Sequence, residues 1–422
     1  MNVWKKYLHL FKTAEIRRFA ILFAIIYFAQ GMSALPDQVI SIIFKDQGLE
    51  ADDVAAFFLL ASIPWFIKPL YGLISDFLPL FGQRRKSYML LTSSLACCAG
   101  LIAALTTQHG YWELAILYTV MGFGLAYTDV LSDALMVENG KQNDLTGAFQ
   151  SVQWIAITAA SILVGLLGGY FAEHRNVQAA FAVSAIFPFT VLLVALFFVR
   201  EKKRVTIGPR EFKKTWKALR EGFGERSIWL VAGFIFLFNF SPSFGPAFFY
   251  YKTDTLGFSQ VYIGILSSID SAFSILGALI YAVMSKTMPL RRMINIAIGL
   301  SVITLLAYLA YRGETSALFI HMIWGVTSMI TTLAFLDLAA RACPKRAEAT
   351  FFALLMSIFN FGTLASQNIG AQLYTALGEG SFAYTWLVVV STCTTAAIWL
   401  LVPLIHIERI EARTRESRSN KS

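Results

Sequence analysis

Asp129 and Asp133 sit four residues apart within one long apolar run, and Lys68 sits alone within another. Ionisable groups in hydrocarbon are rare and costly, so each needs a reason to be there. At a spacing of four, two carboxylates share a helix face and repel. Either a cation lies between them or one of them is protonated. Counted inward from the run ends, Lys68 and Asp129 lie at similar depth, so a Lys68–Asp129 or Lys68–Asp133 pair is available. Such a pair could rearrange as a gate or coupling device, with Asp129 and Asp133 as proton carriers, or it could be a static link holding two helices. Asp270 lies midway along a third run with no cation near it in sequence. It reads as a further proton site or as a hydrogen-bonded structural carboxyl.

A second group of residues could read a planar solute. The stretch from Phe238 to Tyr251 carries Asn239, Ser241 and Ser243 beside Pro242 and Pro246. Two prolines in an apolar run break its helix, which is tolerated only beside protein or a wet cavity. Phe240, Phe244 and Phe248 recur at intervals of four, a stripe that can stack on a flat heteroaromatic ring or simply pack on neighbouring helices. Gln30, Gln150, Gln153, Asn360 and Gln367 add amides, whose paired donors and acceptors suit a heterocycle edge. From these, the expected solute-binding set is Lys68, Asp129, Asp133, Gln30, Asn239, Phe240, Phe244, Gln153 and Asn360. A third group suggests latches. Asp76 precedes the cations Arg84 and Arg85, and Asp337 precedes Arg341 by one helical turn; a carboxylate can hold a guanidinium by paired charge-assisted hydrogen bonds.

These side chains need helices long enough to cross a bilayer. Of 422 residues, 57% are hydrophobic and 14% charged, with a mean hydropathy of +0.61; a soluble domain carries about 25% charged residues. Twelve apolar runs approach or exceed ~20 residues, the length a bilayer demands: 19–44, 52–76, 88–107, 112–138, 145–172, 178–199, 228–251, 259–285, 292–311, 316–341, 348–376 and 382–405. The first is too long for a cleavable signal core and has no small-residue cleavage site after it. The expected fold is therefore all-α and polytopic, with twelve transmembrane helices. Of the 35 Lys and Arg, 30 fall in the tails and alternate loops and four in the opposite loops, so both termini are expected in the cytoplasm, with the plasma membrane as the expected site.

The net charge of +9 is thus a topology signal, and no nucleic-acid partner is expected. Cys97, Cys98, Cys343 and Cys393 have no metal-type spacing, and neither a metal nor a cofactor is expected. The single long polar break, 200–227, carries Phe212, Trp216, Leu219 and Phe223 as one stripe and reads as an amphipathic linker on the inner leaflet. The expected organisation is a cytoplasmic segment at 1–18, a six-helix bundle at 19–199, the linker, a second six-helix bundle at 228–406 and a basic cytoplasmic tail at 407–422. Thr128, Asp133, Lys141, Asp144 and Thr146 match Thr332, Asp337, Lys345, Glu348 and Thr350 at one constant offset. Pro36 with Pro242 and Gly72 with Gly277 follow in order, so the two bundles read as pseudo-symmetric repeats.

The run Gly72-Leu-Ile-Ser-Asp76 followed by Gly82-x-Arg-Arg-Lys86 resembles the first gate loop of the major facilitator superfamily. With Pro64-Trp-x-Ile-Lys-Pro before it and the short insert Phe77–Phe81 within it, the stretch resembles the folate–biopterin transporter family more narrowly. Asp129-Val-x-x-Asp-Ala-Leu-x-Val-Glu138, Pro242-Ser-x-Gly245, Leu256-Gly-Phe-Ser259, Cys343-Pro and Glu348-Ala-Thr with Asn360 resemble that family in the same order. The resemblance implies the major facilitator fold and uptake of folates or pterins as proton symport. It implies alternating access about a midplane site, with Asp76, Arg84 and Arg85 at the inner gate. The expected partners are a small organic solute and the lipid bilayer, and a monomer is expected. A folate is an anion, and Lys68 could meet its carboxylate; if Lys68 is tied to Asp129 or Asp133, anion recognition needs another group. The alternatives are the same fold carrying another small organic metabolite or a peptidoglycan fragment, or a receptor or membrane enzyme. An enzyme would need clustered acids or histidines at a membrane face; the one adjacent acid pair, Asp52-Asp53, is unpartnered and the five histidines are scattered.

Overall fold

The computed structural model describes residues 13–143, 145–201, 217, 220–241, 244–343, 348–408 and 410. Among the described residues, ten helical stretches are long and apolar enough to cross a membrane. Two further crossings are interrupted. The second is built of Ala51–Ala61, Ile63–Phe66 and Lys68–Phe77. The seventh is built of Arg226–Asn239, Gly245–Tyr250 and a wide turn at Tyr251–Thr255. Together they make the twelve spans that the apolar runs require, and no strand occurs among the described residues.

The breaks have local causes. Pro64 and Pro69 each sit in the first turn of a helical piece, where a missing N–H costs least. Pro36 similarly divides the first span, Ala14–Asp46, into Ala14–Met32 and Asp37–Asp46. Helix starts are capped by short polar side chains. Thr13 accepts from the Ile16 N–H at 3.2 Å, Asn176 from Ala179 at 2.9 Å and Ser259 from Tyr262 at 3.1 Å.

The chain forms two compact units, Met1–Ile43 with Leu60–Gly208 and Phe44–Leu59 with Pro209–Ser422, over their described residues. The first unit holds the third to sixth spans, Lys86–Leu105, Tyr111–Asn143, Thr146–Glu173 and Val177–Phe198. Its core includes Phe23, Phe149 and a stack of Tyr71, Tyr127 and Tyr88 with ring centres 4.6 and 5.4 Å apart. The fourth span meets the third at Gly124, where a Cβ would stand 2.3 Å from the Thr92 carbonyl oxygen. Only glycine permits that approach.

The second unit holds the eighth to twelfth spans, Gln260–Thr287, Leu290–Ala310, Glu314–Ala342, Glu348–Ala376 and Gly380–Ile405. Gly277 and Gly325 bring the eighth and tenth spans together, a Cβ at each meeting a backbone oxygen at 2.4 or 2.5 Å. The half boundaries expected at 19–199 and 228–406 differ from these units by the segment 44–59. Lys45 pairs with Asp254 at 2.5 Å, the Tyr250 hydroxyl donates to the Leu49 carbonyl at 2.5 Å, and Phe44 packs edge-on to Phe57. The expected surface helix of 1–18 and the linker stripe Phe212, Trp216 and Leu219 lie outside the described residues, apart from residues 13–18 and 220–223, which are helical from 14 and from 220. Pro242 and Ser243 also lie outside them.

Candidate functional site

In the first unit, Lys68 and Asp129 form a buried ion pair. Lys68 opens the last piece of the broken second span, and its Nζ donates to Asp129 Oδ2 at 2.6 Å. Their side chains are 13% and 7% exposed. The ammonium also lies 4.4 Å from the centre of the Trp65 ring, the neighbour that the Pro64 turn positions. Of the two pairings open in the sequence, Lys68–Asp129 is the one formed.

Asp133, one turn further along, takes a different partner. The Tyr27 hydroxyl of the first span donates to its Oδ1. A cation on one carboxylate and a phenol on the other thus resolve the like-charge contact. Gln153, only 2% exposed, lies beside Asp133 with its Nε2 unpartnered among the described residues. Gln30 Oε1 and Ser93 Oγ are likewise buried and unpartnered, and they border a cavity of about 10 Å³ that Asp129 also lines. That volume suits about one water. Five of the expected residues, Gln30, Lys68, Asp129, Asp133 and Gln153, therefore converge in one polar cluster inside an apolar unit.

Also in the first unit, Asp76 receives Arg85 Nη2 at 2.7 Å and Arg84 Nη1 at 3.7 Å. Arg85 is 4% exposed and also donates to Ser75 Oγ at 2.9 Å. A residue absent from the sequence reading completes this loop. The Glu201 carboxylate accepts the backbone N–H groups of Arg84, Arg85 and Lys86 at 3.0, 2.9 and 3.0 Å. These are the unpaired donors at the start of the third span, where an anion is favoured by the helix dipole.

In the second unit, the expected residues are dispersed among separate partners. Asp337 and Arg341 form a two-pronged pair at 2.8 and 2.7 Å, and the Tyr281 hydroxyl donates to Asp337 at 3.3 Å. Asn239 donates to the Ile235 carbonyl at 2.8 Å and accepts from Thr363. Phe240 stacks on Phe236 with centres 4.9 Å apart, and Phe244 stacks on Tyr308 at 4.7 Å. Asn360 is half-buried in the eleventh span. Ser241 anchors the broken seventh span, donating to the Ser391 carbonyl at 2.9 Å and accepting from Thr395 at 3.1 Å.

Asp270 finds a partner in the tenth span. His321 Nδ1 lies 2.8 Å from its Oδ2, and the Tyr311 hydroxyl lies 3.1 Å from His321 Nε2. Sequence reasoning passed over His321 and Tyr27. A histidine inside a span was a signal in itself; a tyrosine inside one is not, because its ring belongs in any core.

The model of the BT1 family matches residues 28–422. The chain is 31% identical over 400 residues to the folate-biopterin transporter of Synechocystis sp., covering 90% of this chain and 80% of that one. It is 27% identical over 442 residues to the probable folate-biopterin transporter 4 of Arabidopsis thaliana, covering 86% and 90%. Among solved structures it superposes on a D-xylose-proton symporter with a TM-score of 0.71 at 16% identity, over 93% of this chain and 99% of that one. At that identity the likeness speaks for the fold, which is the twelve-span major facilitator architecture.

Proposed function

The chain belongs to the BT1 family and is a multi-pass membrane transporter, and from that premise we propose that it moves folates or pterins by alternating access coupled to protons. The observation that supports coupling is the first unit's cluster. Lys68–Asp129 and Tyr27–Asp133 place two carboxylates, one cation and one phenol together within the spans, with Gln30, Gln153 and Ser93 holding unused polar atoms. A static link between two helices needs one pair. A second carboxylate one turn away, held by the Tyr27 hydroxyl and without a cation of its own, is a group whose proton can come and go.

In this reading Asp129 and Asp133 carry the proton, and Gln30 and Gln153 read the amide-rich edge of the heterocycle. Asp76–Arg85 and Asp337–Arg341 close inner gates, with both termini in the cytoplasm. Asn239, Phe240, Phe244 and Asn360 belong to the reading as lining residues of the second unit. The chain reconstituted in proteoliposomes tests it, using labelled folic acid and biopterin with and without an acidic exterior. Accumulation above equilibrium, lost on adding a protonophore, is the expected result. Uptake that equilibrates and ignores the gradient removes the proton, and no uptake of either compound removes the cargo.

A further inference from the structure

Lys252, at the end of the seventh span, is 8% exposed, and no described residue gives its ammonium a hydrogen bond or an ion pair. Its Nζ rests 4.5 Å from the centre of the Phe248 ring. A ring face is a weak substitute for an anion, and a buried ammonium is costly until an anion joins it. The ionised group that acts on it is Asp270, beyond ion-pair distance. Asp270 Oδ2 is engaged by His321, whereas Oδ1 is buried without a partner among the described residues. The Asp270 side chain is 26% exposed.

His321 bridges the two: its Nδ1 lies against Asp270 and its Nε2 against the Tyr311 hydroxyl, so both ring nitrogens have a partner. The titratable groups facing the Asp270–His321 pair are Lys252 from the seventh span and Tyr308 and Tyr311 from the end of the ninth, with Tyr384 of the twelfth bonded to the Tyr308 carbonyl. Lys252 and Asp270 are the basic and the acidic side chain of this cluster. An incoming carboxylate that pairs with Lys252 takes over its charge. Asp270 then becomes an unbalanced anion in a low-dielectric interior, which favours a proton on the pair.

We propose that Lys252 binds a carboxylate of the transported solute and that the Asp270–His321 pair takes up one proton from solvent as it does so. No other bond forms or breaks. The inference rests on the transporter reading above and adds to it the anion-binding group that Lys68, tied to Asp129, does not supply.

The test measures binding and proton uptake together, with the purified full chain in weakly buffered detergent. The probes are folic acid, biopterin, which lacks a carboxylate, and p-aminobenzoylglutamate, which lacks the pterin. The expected result is about one proton taken up per folic acid or p-aminobenzoylglutamate bound, and none with biopterin. Lys252→Gln should weaken both carboxylated probes at least tenfold and leave biopterin unchanged, and Lys252→Arg should restore them. His321→Asn should retain binding and lose proton uptake. Gln at 252 leaves Asp270 held by His321, and a monodisperse size-exclusion peak in detergent checks that the variant is folded.

Unchanged affinity in Lys252→Gln overturns the site, as does carboxylate binding without proton uptake. The same proton uptake on adding chloride or phosphate overturns the carboxylate assignment. If both pterins fail to bind while p-aminobenzoylglutamate binds through Lys252, the cargo proposed above fails and the site stands. If p-aminobenzoylglutamate does not bind wild type, the site falls whatever the pterins do.

Discussion

Replacing Lys68 by methionine would leave Asp129, 7% exposed at its side chain, without the ammonium now 2.6 Å away. Methionine keeps much of the lysine stem's bulk, so the change is mostly one of charge. Breaking a buried pair from one side costs about 3–5 kcal/mol, because the surviving charge is stranded. Loss of the Trp65 contact adds about 0.5–2 kcal/mol. Lys68→Met should therefore melt well below wild type in detergent, and Asp129→Asn should behave alike from the other side.

The double variant Lys68→Met/Asp129→Asn strands no charge. It should recover most of the lost stability, costing far less than the sum of the two single variants in the double-mutant cycle. The two roles of the pair separate in the same protein. If it couples the proton to the solute, the stable double variant should fail to accumulate substrate against a gradient. The assay is thermal unfolding by size-exclusion chromatography, followed by uptake into proteoliposomes. A double variant that is stable and transports normally would refute the coupling role and leave a helix link. A Lys68→Met variant as stable as wild type would refute the buried-pair energetics.

Glu201→Gln should lower the melting temperature, since a full charge on three backbone donors at a partly buried helix start contributes up to ~2 kcal/mol; a melting temperature equal to wild type would show that the N–H groups are satisfied otherwise. Gly124→Ala should reduce folded yield sharply, because the new methyl meets Thr92 O at 2.3 Å and Ala96 Cβ at 2.8 Å; fluorescence size-exclusion of the tagged variant reads this, with Gly110→Ala, which meets nothing within 4 Å, as the control. Glu379, in the loop between the last two spans, has its carboxyl pushed above the usual range by burial and then by the nearby Asp254 and Glu50, with Lys45 opposing. A raised acid binds its proton more tightly when folded, so its contribution is present at low pH and lost as pH rises through the folded value. Glu379→Gln should therefore melt above wild type at neutral pH, with the difference vanishing near pH 4; a difference independent of pH would mean the carboxylate is not what changes.

Much was legible before any coordinates. Twelve crossings follow from apolar runs because lipid offers no hydrogen bonds to an exposed backbone. The break in the seventh span was marked by Pro242 and Pro246, whereas the second span read as one continuous run and its division at Pro64 and Pro69 emerged only with the fold. The Lys68–Asp129 pair could be anticipated because depth along a helix is countable, at ~1.5 Å per residue. Even the ion pairs Asp76–Arg85 and Asp337–Arg341 were visible, since their partners are close in sequence.

Which span faces which was not countable. Asp133 was one of two acids that Lys68 could have met, and only the packing of the first span against the fourth assigns it Tyr27. His321 lies 51 residues from Asp270, and no local pattern connects them. Lys252 looked like a loop cation because it lies beside the last apolar residue of its span, yet the turn at Tyr251–Thr255 carries it inward onto Phe248. Hydropathy is a property of each residue alone and survives as a signal along the chain. The rotation of one helix against another is set by side-chain packing across hundreds of residues, and it decides which buried charge is paired and which is left waiting.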